Sequence, residues 1–251
     1  MFFNDRNNSP LGSLNNRDKE EAVKTSDALF YGSICSFISG LFLLMSFSSP
    51  YWLASWEETQ SPFKNMGLWE MCFYRFRHPD YQFDYAFSGC HPIYGTEYRL
   101  IREKLLPGWL MVVQLFITLA LISSFLGQTV MVPLLLRYPL KIILRFEHQF
   151  CVFVMACYGC TAVFIFLGIS TFGGECWSRD WLLYPNFNYV SWSFAFALFA
   201  CLGHILSTVL FYMDSRLAKE RKEKTKALIM QMQPPGFAST DNPHHGFAAY
   251  M

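Results

Sequence analysis

Charge is scarce in this sequence and unevenly placed. Charged residues make up 16% of the 251 residues, against about 25% in a typical soluble domain. The formal net charge is only +1, which gives no bulk attraction to nucleic acid, so no nucleic-acid partner is expected. Because 53% of the residues are hydrophobic and 18% aromatic, the composition favours a membrane protein over a soluble domain.

Four long stretches contain no Asp, Glu, Lys or Arg at all; they cover residues 28–49, 105–136, 150–174 and 181–213. Each can supply the ~20 apolar residues that a helix needs to cross about 30 Å of hydrocarbon. Backbone polar groups in lipid must be satisfied within the segment, so these segments should be helices. We predict membrane-spanning helices over 28–48, 109–131, 151–172 and 191–213.

The tails and loops give the expected orientation. Residues 1–27 lack the apolar core and cleavage site of a secretory signal peptide, so the first span should act as a signal anchor. Thirteen Lys and Arg residues lie in the tails and the 137–149 loop, against seven in the other two loops. The positive-inside rule therefore predicts two cytoplasmic termini. Residues 214–251 read as a basic, largely disordered cytoplasmic tail, whose first part suits anionic membrane lipids.

This topology leaves two outer loops, 49–107 and 173–190, with three cysteines between them. Cys72 and Cys90 share the large loop in an oxidising compartment, where a disulfide would stabilise the fold by ~3 kcal/mol. Cys176 stands alone in the small loop and either stays free or pairs between molecules. The remaining five cysteines lie in or beside spans and are interpreted as packing residues.

The large loop also predicts local structure. Aromatic-rich segments bounded by turn formers indicate strands over 51–55, 67–74 and 81–87, followed by a short helix over 97–106. The expected fold class is therefore an all-α transmembrane four-helix bundle with a small extracellular antiparallel β-sheet. In the first span, Gly32, Ser36 and Gly40 form a small-residue stripe for close helix packing, either within the bundle or against a second copy.

The sequence lacks the patterns of catalysis. No nucleophile–base arrangement, phosphate-binding loop or Cys/His quartet is present, so we predict no enzyme, no catalytic residue, no metal and no cofactor. The predicted spans also carry no charge, whereas transporters and channels generally place ionisable groups inside the membrane. A path through the bundle is therefore not expected.

One set of residues resembles a known signature; it consists of Pro50, Trp52, Gly67, Leu68, Trp69, Cys72 and Cys90. It is similar to the Trp, Gly-Leu-Trp, Cys, Cys pattern of the claudin superfamily, which also contains peripheral myelin protein, epithelial membrane proteins and calcium-channel gamma subunits. Seventeen residues separate the two cysteines, more than in most vertebrate claudins, and the chain looks most like an invertebrate claudin of septate junctions. The resemblance implies that Trp52 and Trp69 wedge between the sheet and the bundle.

The resemblance also implies a function. It suggests a structural protein of lateral cell–cell junctions in the plasma membrane, assembling with itself and other junction proteins and contributing to the paracellular barrier. The alternative is an auxiliary subunit that modulates or traffics a channel or receptor, as gamma subunits do. Four charged residues are candidates to line a paracellular gap: Arg75, Arg77, Asp80 and Asp84. The terminal Tyr250 and Met251 resemble a ligand for a PDZ scaffold.

Overall fold

The structure is a computed structural model that describes residues 26–77, 85–136, 140–178, 181 and 185–232. Its elements are, in chain order, α1 Asp27–Ser48, β1 Leu53–Ser55, β2 Phe63–Met66, β3 Glu70–Phe76, β4 Phe87–Pro92, α2 Arg102–Leu105, α3 Gly108–Leu136, α4 Leu140–Glu175, β5 Asn188–Val190 and α5 Trp192–Met232. Single turns of 3-10 helix occupy Glu57–Thr59 and Pro185–Phe187. In this part of the chain, α1, α3, α4 and α5 are long and apolar enough to cross a membrane.

The four predicted spans therefore match four helices, but three of the helices are longer than the predicted spans. Helix α3 continues to Leu136, α4 already begins at Leu140, and α5 runs on to Met232. The helices are longer because a charge-free stretch indicates only the part of a helix that lies in lipid, whereas the helix itself can continue into water. The interpretation of 214–251 as largely disordered is corrected for residues 214–232, which are helical; residues 233–251 lie outside the described range.

Small residues on α1 set the packing of the bundle. A Cβ added to Gly32 would lie 3.2 Å from the Phe211 ring of α5, and one added to Gly40 would collide with the Gln128 amide of α3. Ser36 is fully buried between them, and its main-chain oxygen accepts a hydrogen bond from Gln128 Nε2 at 3.3 Å. The stripe thus faces the interior of the bundle, where small side chains permit close helix approach.

The strands form one sheet in the order β4-β3-β2-β1-β5, with every neighbouring pair antiparallel. β1 leaves the end of α1, and β2 and β3 follow as successive hairpins. β5 comes from the second outer loop and pairs with β1, so that Leu53 faces Val190. The two outer loops are therefore parts of a single sheet, a connection that the sequence did not predict.

The strand predictions need three corrections. β2 was missed, because Lys64 and Asn65 break its apolar pattern. The strand expected over 67–74 begins only at Glu70, because Gly67 donates to the Glu70 carbonyl in a tight turn. The strand expected over 81–87 is wrong for 85–86, and β4 follows at Phe87–Pro92; residues 81–84 lie outside the described range.

The predicted helix over 97–106 shrinks to the single turn of α2. Ahead of it, Ile101 N donates to the Tyr98 carbonyl at 3.1 Å, a bond of turn type three residues apart. Tyr98 itself is fully buried. Burial of its ring outweighs the helical preference of the surrounding residues. The segment thus serves to bury one aromatic ring.

Candidate functional site

Trp52 joins the sheet to three helices. The side chain is fully buried, and its Nε1 donates to the Ser46 carbonyl of α1 at 2.8 Å. Its ring meets Phe172 of α4 edge-on at 4.9 Å and Phe194 of α5 at 5.7 Å, measured between centroids. Edge-to-face pairs of this kind stabilise a structure beyond the effect of burying apolar area. The base of the sheet is thereby fixed on one end of the bundle.

Gly67 lies where the chain turns back onto the end of α1. A Cβ at this position would overlap the Ser49 carbonyl and the Pro50 Cα, and backbone atoms cannot move aside as a flexible side chain can. The Pro50 carbonyl accepts a hydrogen bond from Asn65 Nδ2 at 2.8 Å. Pro50 and Gly67 therefore touch directly, and the contact requires glycine.

Leu68 and Trp69 complete this junction. Leu68 is fully buried, and its carbonyl accepts a hydrogen bond from Gln114 Nε2 of α3 at 2.6 Å. The other end of the same amide, Gln114 Oε1, accepts from the Tyr94 hydroxyl at 2.8 Å. The Trp69 ring packs against Phe47 of α1 at 5.2 Å. One polar side chain within a span is thus satisfied entirely by the outer loop.

Cys72 and Cys90 are joined by a disulfide and face each other across β3 and β4. Beneath them the Tyr98 hydroxyl donates to the Met71 carbonyl at 2.9 Å and contacts the Gly89 carbonyl at 3.3 Å. Burial raises the pKa of the Tyr98 phenol well above its ordinary value, so Tyr98 remains a neutral donor. The β3–β4 pair is therefore stabilised both by the disulfide and by the hydroxyl of the buried Tyr98.

Potential metal ligands come together at one place among the described residues. Glu70 lies with the sulfurs of Cys72 and Cys90, the ligand atoms all within 4.8 Å of one another. The sulfurs are already bonded to each other, so neither is available as the thiolate that a metal would need. The arrangement therefore does not make a metal centre.

Cys176 lies inside the core, directly after the C-terminal end of α4. Only 1% of the residue is exposed, and its Sγ is 3.7 Å from the Gly173 carbonyl. Burial raises the pKa of this thiol to about 11, which keeps it protonated and unreactive at neutral pH. Of the two alternatives for this cysteine, the arrangement favours the free thiol.

The candidate gap-lining residues are only partly within the described range. Arg75 and Arg77 are both exposed at the end of β3 away from the bundle, and Arg75 adopts a left-handed backbone conformation with φ 49°. Asp80 and Asp84 lie outside the described residues, as do Tyr250 and Met251. The structure therefore brings together the signature residues, but it does not show the two candidate acids or the terminal motif.

Asp214 was missed as a buried charge. It follows the predicted fourth span directly, yet it is only 1% exposed. The Cys151 thiol of α4 donates to its Oδ2 at 3.3 Å, and Arg221 lies 3.8 Å from its Oδ1 while also pairing with Glu147 at 3.3 Å. Asp214 and Arg221 are seven residues apart, two helical turns on one face, a signal that could have indicated the pair.

The architecture defines a class: four membrane-spanning helices that carry one disulfide-linked antiparallel sheet at one end. A family model described as PMP-22/EMP/MP20/Claudin tight junction matches residues 37–213, well over half of the chain. The protein belongs to this family. No curated protein matches the chain. The matched range begins within α1 and ends within α5; it includes both other spans, both outer loops and the whole signature, and it excludes both tails.

Proposed function

We propose that this protein is a structural component of lateral cell–cell junctions in epithelia, and that its outer sheet contributes to the paracellular barrier. The observation that carries the proposal is the single sheet built from both outer loops and attached to three helices through Trp52. Such a sheet presents a fixed surface to its surroundings. Membership of the family supports a structural, non-enzymatic role. The long interval of seventeen residues between Cys72 and Cys90 supports the further proposal that the barrier is of the invertebrate, septate-junction type.

The contrast between bundle and sheet supports a route around the protein. In the described part of α1, α3 and α4, no charged side chain is buried in the core, and the buried Asp214 lies at the end of the bundle opposite the sheet. Arg75 and Arg77 are exposed at the far end of the sheet. Exposed charges are screened over about 8 Å at physiological salt, so they influence ions only in a narrow gap. With Asp80 and Asp84, these residues are the proposed lining.

The test is transepithelial conductance and tracer leak in a polarised epithelium. Complete loss of the protein should raise the permeability to large tracers. In two further variants the charges are reversed, at Arg75 and Arg77 together or at Asp80 and Asp84 together. Ion preference should stay unchanged if the protein acts as a simple barrier, and it should shift if these residues line a conducting gap. Unchanged tracer permeability on complete loss would refute the barrier. Surface staining that follows a channel or receptor would then favour the auxiliary subunit.

A further inference from the structure

The tyrosines of the two outer loops differ in exposure and in the residue that precedes them. Tyr85 is 58% exposed and directly follows Asp84. Tyr98 also follows an acid, Glu97, but is fully buried. Other exposed tyrosines follow uncharged residues; they are Tyr51, Tyr74 and Tyr94. Within the described part of the outer loops, Tyr85 is therefore the tyrosine that combines exposure with a preceding acidic residue.

The hydroxyl of Tyr85 also lies beside a second carboxylate. It donates a hydrogen bond to Glu97 Oε1 at 2.5 Å, and this bond raises the pKa of the phenol, as does the negative charge of Glu97. Phe87 packs edge-on against the Tyr85 ring, with 5.2 Å between the centroids. The hydrogen bond uses the phenolic hydrogen and leaves the lone pairs of Oη unused. A nucleophilic oxygen is thus presented at the surface in acidic surroundings.

The disulfide indicates the compartment in which this oxygen is presented. Cys72 and Cys90 are joined, and disulfides form and persist in oxidising compartments such as the secretory lumen. Tyr85 precedes Cys90 by five residues in the same outer loop. The positive-inside rule places this loop on the same side of the membrane. Tyr85 is therefore accessible to transferases of the lumen and not to cytoplasmic kinases.

We propose that Tyr85 is a tyrosine sulfation site, modified in the secretory lumen by a transferase that uses a phosphosulfate anhydride as sulfate donor. Tyr85 Oη attacks the sulfur of the donor, and a new O–S bond forms. The bond between sulfur and the bridging oxygen breaks, and its electron pair leaves on the donor's phosphate. The phenolic proton passes to a base of the transferase, and nothing is oxidised or reduced. The inference goes beyond the proposed barrier role and does not depend on it.

Charge explains why Tyr85 is favoured over an equally exposed tyrosine. A transferase that holds an anionic donor has a basic site, and complementary charge then favours an acidic substrate segment. Asp84 supplies such a charge from the preceding position. Tyr74 is as exposed as Tyr85, but Lys64 Nζ and Arg75 Cζ lie 5.9 Å and 5.6 Å from the centroid of its ring. The surroundings of Tyr74 therefore have the opposite sign.

Sulfation would change the surface around Tyr85 in a defined way. The ester oxygen carries no hydrogen, so the bond to Glu97 Oε1 is lost. A sulfate ester stays ionised throughout the physiological pH range, so the modified side chain places a permanent negative charge beside Glu97. Like charges repel, and the modified side chain should turn away from this carboxylate. The outer sheet would thereby gain an anionic group that the amino-acid sequence does not encode.

The experiment uses the full-length protein, expressed in animal cells that are supplied with radioactive inorganic sulfate. Protein recovered from the cell surface is digested with trypsin, and the peptide that covers residues 78–99 is mapped by fragmentation that preserves sulfate esters. The label should lie on Tyr85. It should resist phosphatase, which removes a phosphate ester of nearly the same mass, and it should disappear when chlorate blocks synthesis of the donor.

Variants test the two requirements of exposure and charge. Tyr85→Phe keeps the ring but lacks the acceptor oxygen, so the label at this position should fall to background. Asp84→Asn should lower it severalfold, whereas the control Tyr74→Phe should leave it unchanged. Tyr81 also follows an acid and lies outside the described residues; Tyr81→Phe should leave the label on Tyr85 in place. Equal surface delivery shows that each variant folds.

An unmodified Tyr85 in delivered wild-type protein would overturn the inference. A label confined to Tyr81, or one that appears equally on Tyr94, would do the same, because exposure and a preceding acid would then not select Tyr85. Removal of the label by phosphatase would identify a phosphate and would also refute sulfation. Tracer leak on loss of the protein is measured separately, so the barrier stands or fails independently of this result.

Discussion

The indole Nε1 of Trp52 donates a 2.8 Å hydrogen bond to the main-chain oxygen of Ser46, in the last turns of α1. Carbonyls at the end of a helix have no partner within the helix, and at a membrane surface water cannot reach them all. The sheet therefore supplies the donor that the helix lacks. This bond, rather than burial alone, explains why the position favours tryptophan over another large apolar residue.

Replacing Trp52 with Phe should separate the two contributions. The ring contacts to Phe172 and Phe194 remain, but the Ser46 carbonyl loses its buried donor. We therefore expect the free energy of unfolding to fall by about 1–3 kcal/mol. Trp52→Ala, which also leaves a cavity, should cost about 3–5 kcal/mol. Thermal unfolding in detergent measures both. Trp177→Phe, at a side chain that is 44% exposed, is the control; equal effects of Trp52→Phe and this control would refute the role of the hydrogen bond.

Gly67→Ala should be among the most damaging single substitutions. The new methyl group meets the backbone of Ser49 and Pro50, so the end of α1 and the sheet must move apart, at a cost of about 3 kcal/mol or more. Little protein should reach the cell surface. Gly174→Ala meets no atom within 4 Å in the last turns of α4 and should be neutral or slightly stabilising. Normal surface delivery of the Gly67 variant would contradict the geometry.

Removal of the Cys72–Cys90 link should destabilise the sheet by about 2–5 kcal/mol. Mass mapping of unreduced peptides should detect the bond in protein taken from the cell surface, and Cys72→Ser should lower surface delivery as much as the double variant does. Cys160→Ser, at an exposed thiol within α4, serves as the control. Free thiols at both positions in delivered protein would show that the bridge is absent.

Both termini are predicted to be cytoplasmic. The reason is the bias of thirteen basic residues against seven. Epitope tags placed before residue 1 and after residue 251 should be inaccessible to antibody until cells are permeabilised, while a tag inserted beside the exposed Glu57 should be accessible on intact cells. Staining of either terminal tag without permeabilisation would reverse the assignment of the outer sheet.

The terminal Tyr250 and Met251 are predicted to bind a PDZ scaffold weakly. Such domains add the peptide as a strand and capture its carboxylate, so deleting the last three residues should loosen junctional anchoring without preventing membrane insertion. A tail peptide that ends in the free carboxylate of Met251 should bind a PDZ domain. The matched control is the same peptide with an amidated C-terminus, which lacks the carboxylate and should not bind. If neither peptide binds any epithelial PDZ domain and the truncated protein still concentrates at junctions, the prediction fails.

The spans could be predicted from sequence because the exclusion of charge from lipid acts on every residue of a helix. The outer sheet was harder, since its pairings depend on distant segments. β5 has only three residues and no periodicity of its own. β2 hides a buried Asn65 whose amide is satisfied by Pro50, a partner that only the folded chain supplies. Asp214 was misplaced for the same reason, because its burial depends on Cys151 and Arg221.

The pairing of Leu53 with Val190 also sets an order for biosynthesis. At about 5–20 residues per second, the ribosome needs roughly 7–27 s to make the chain between these partners. During this interval β1 has an open edge, the kind of surface that recruits foreign strands. The Cys72–Cys90 hairpin can already close, but the sheet must wait for β5, which is made only after α4. A nascent chain stalled after α4, before β5 has been made, would therefore be a target for lumenal chaperones.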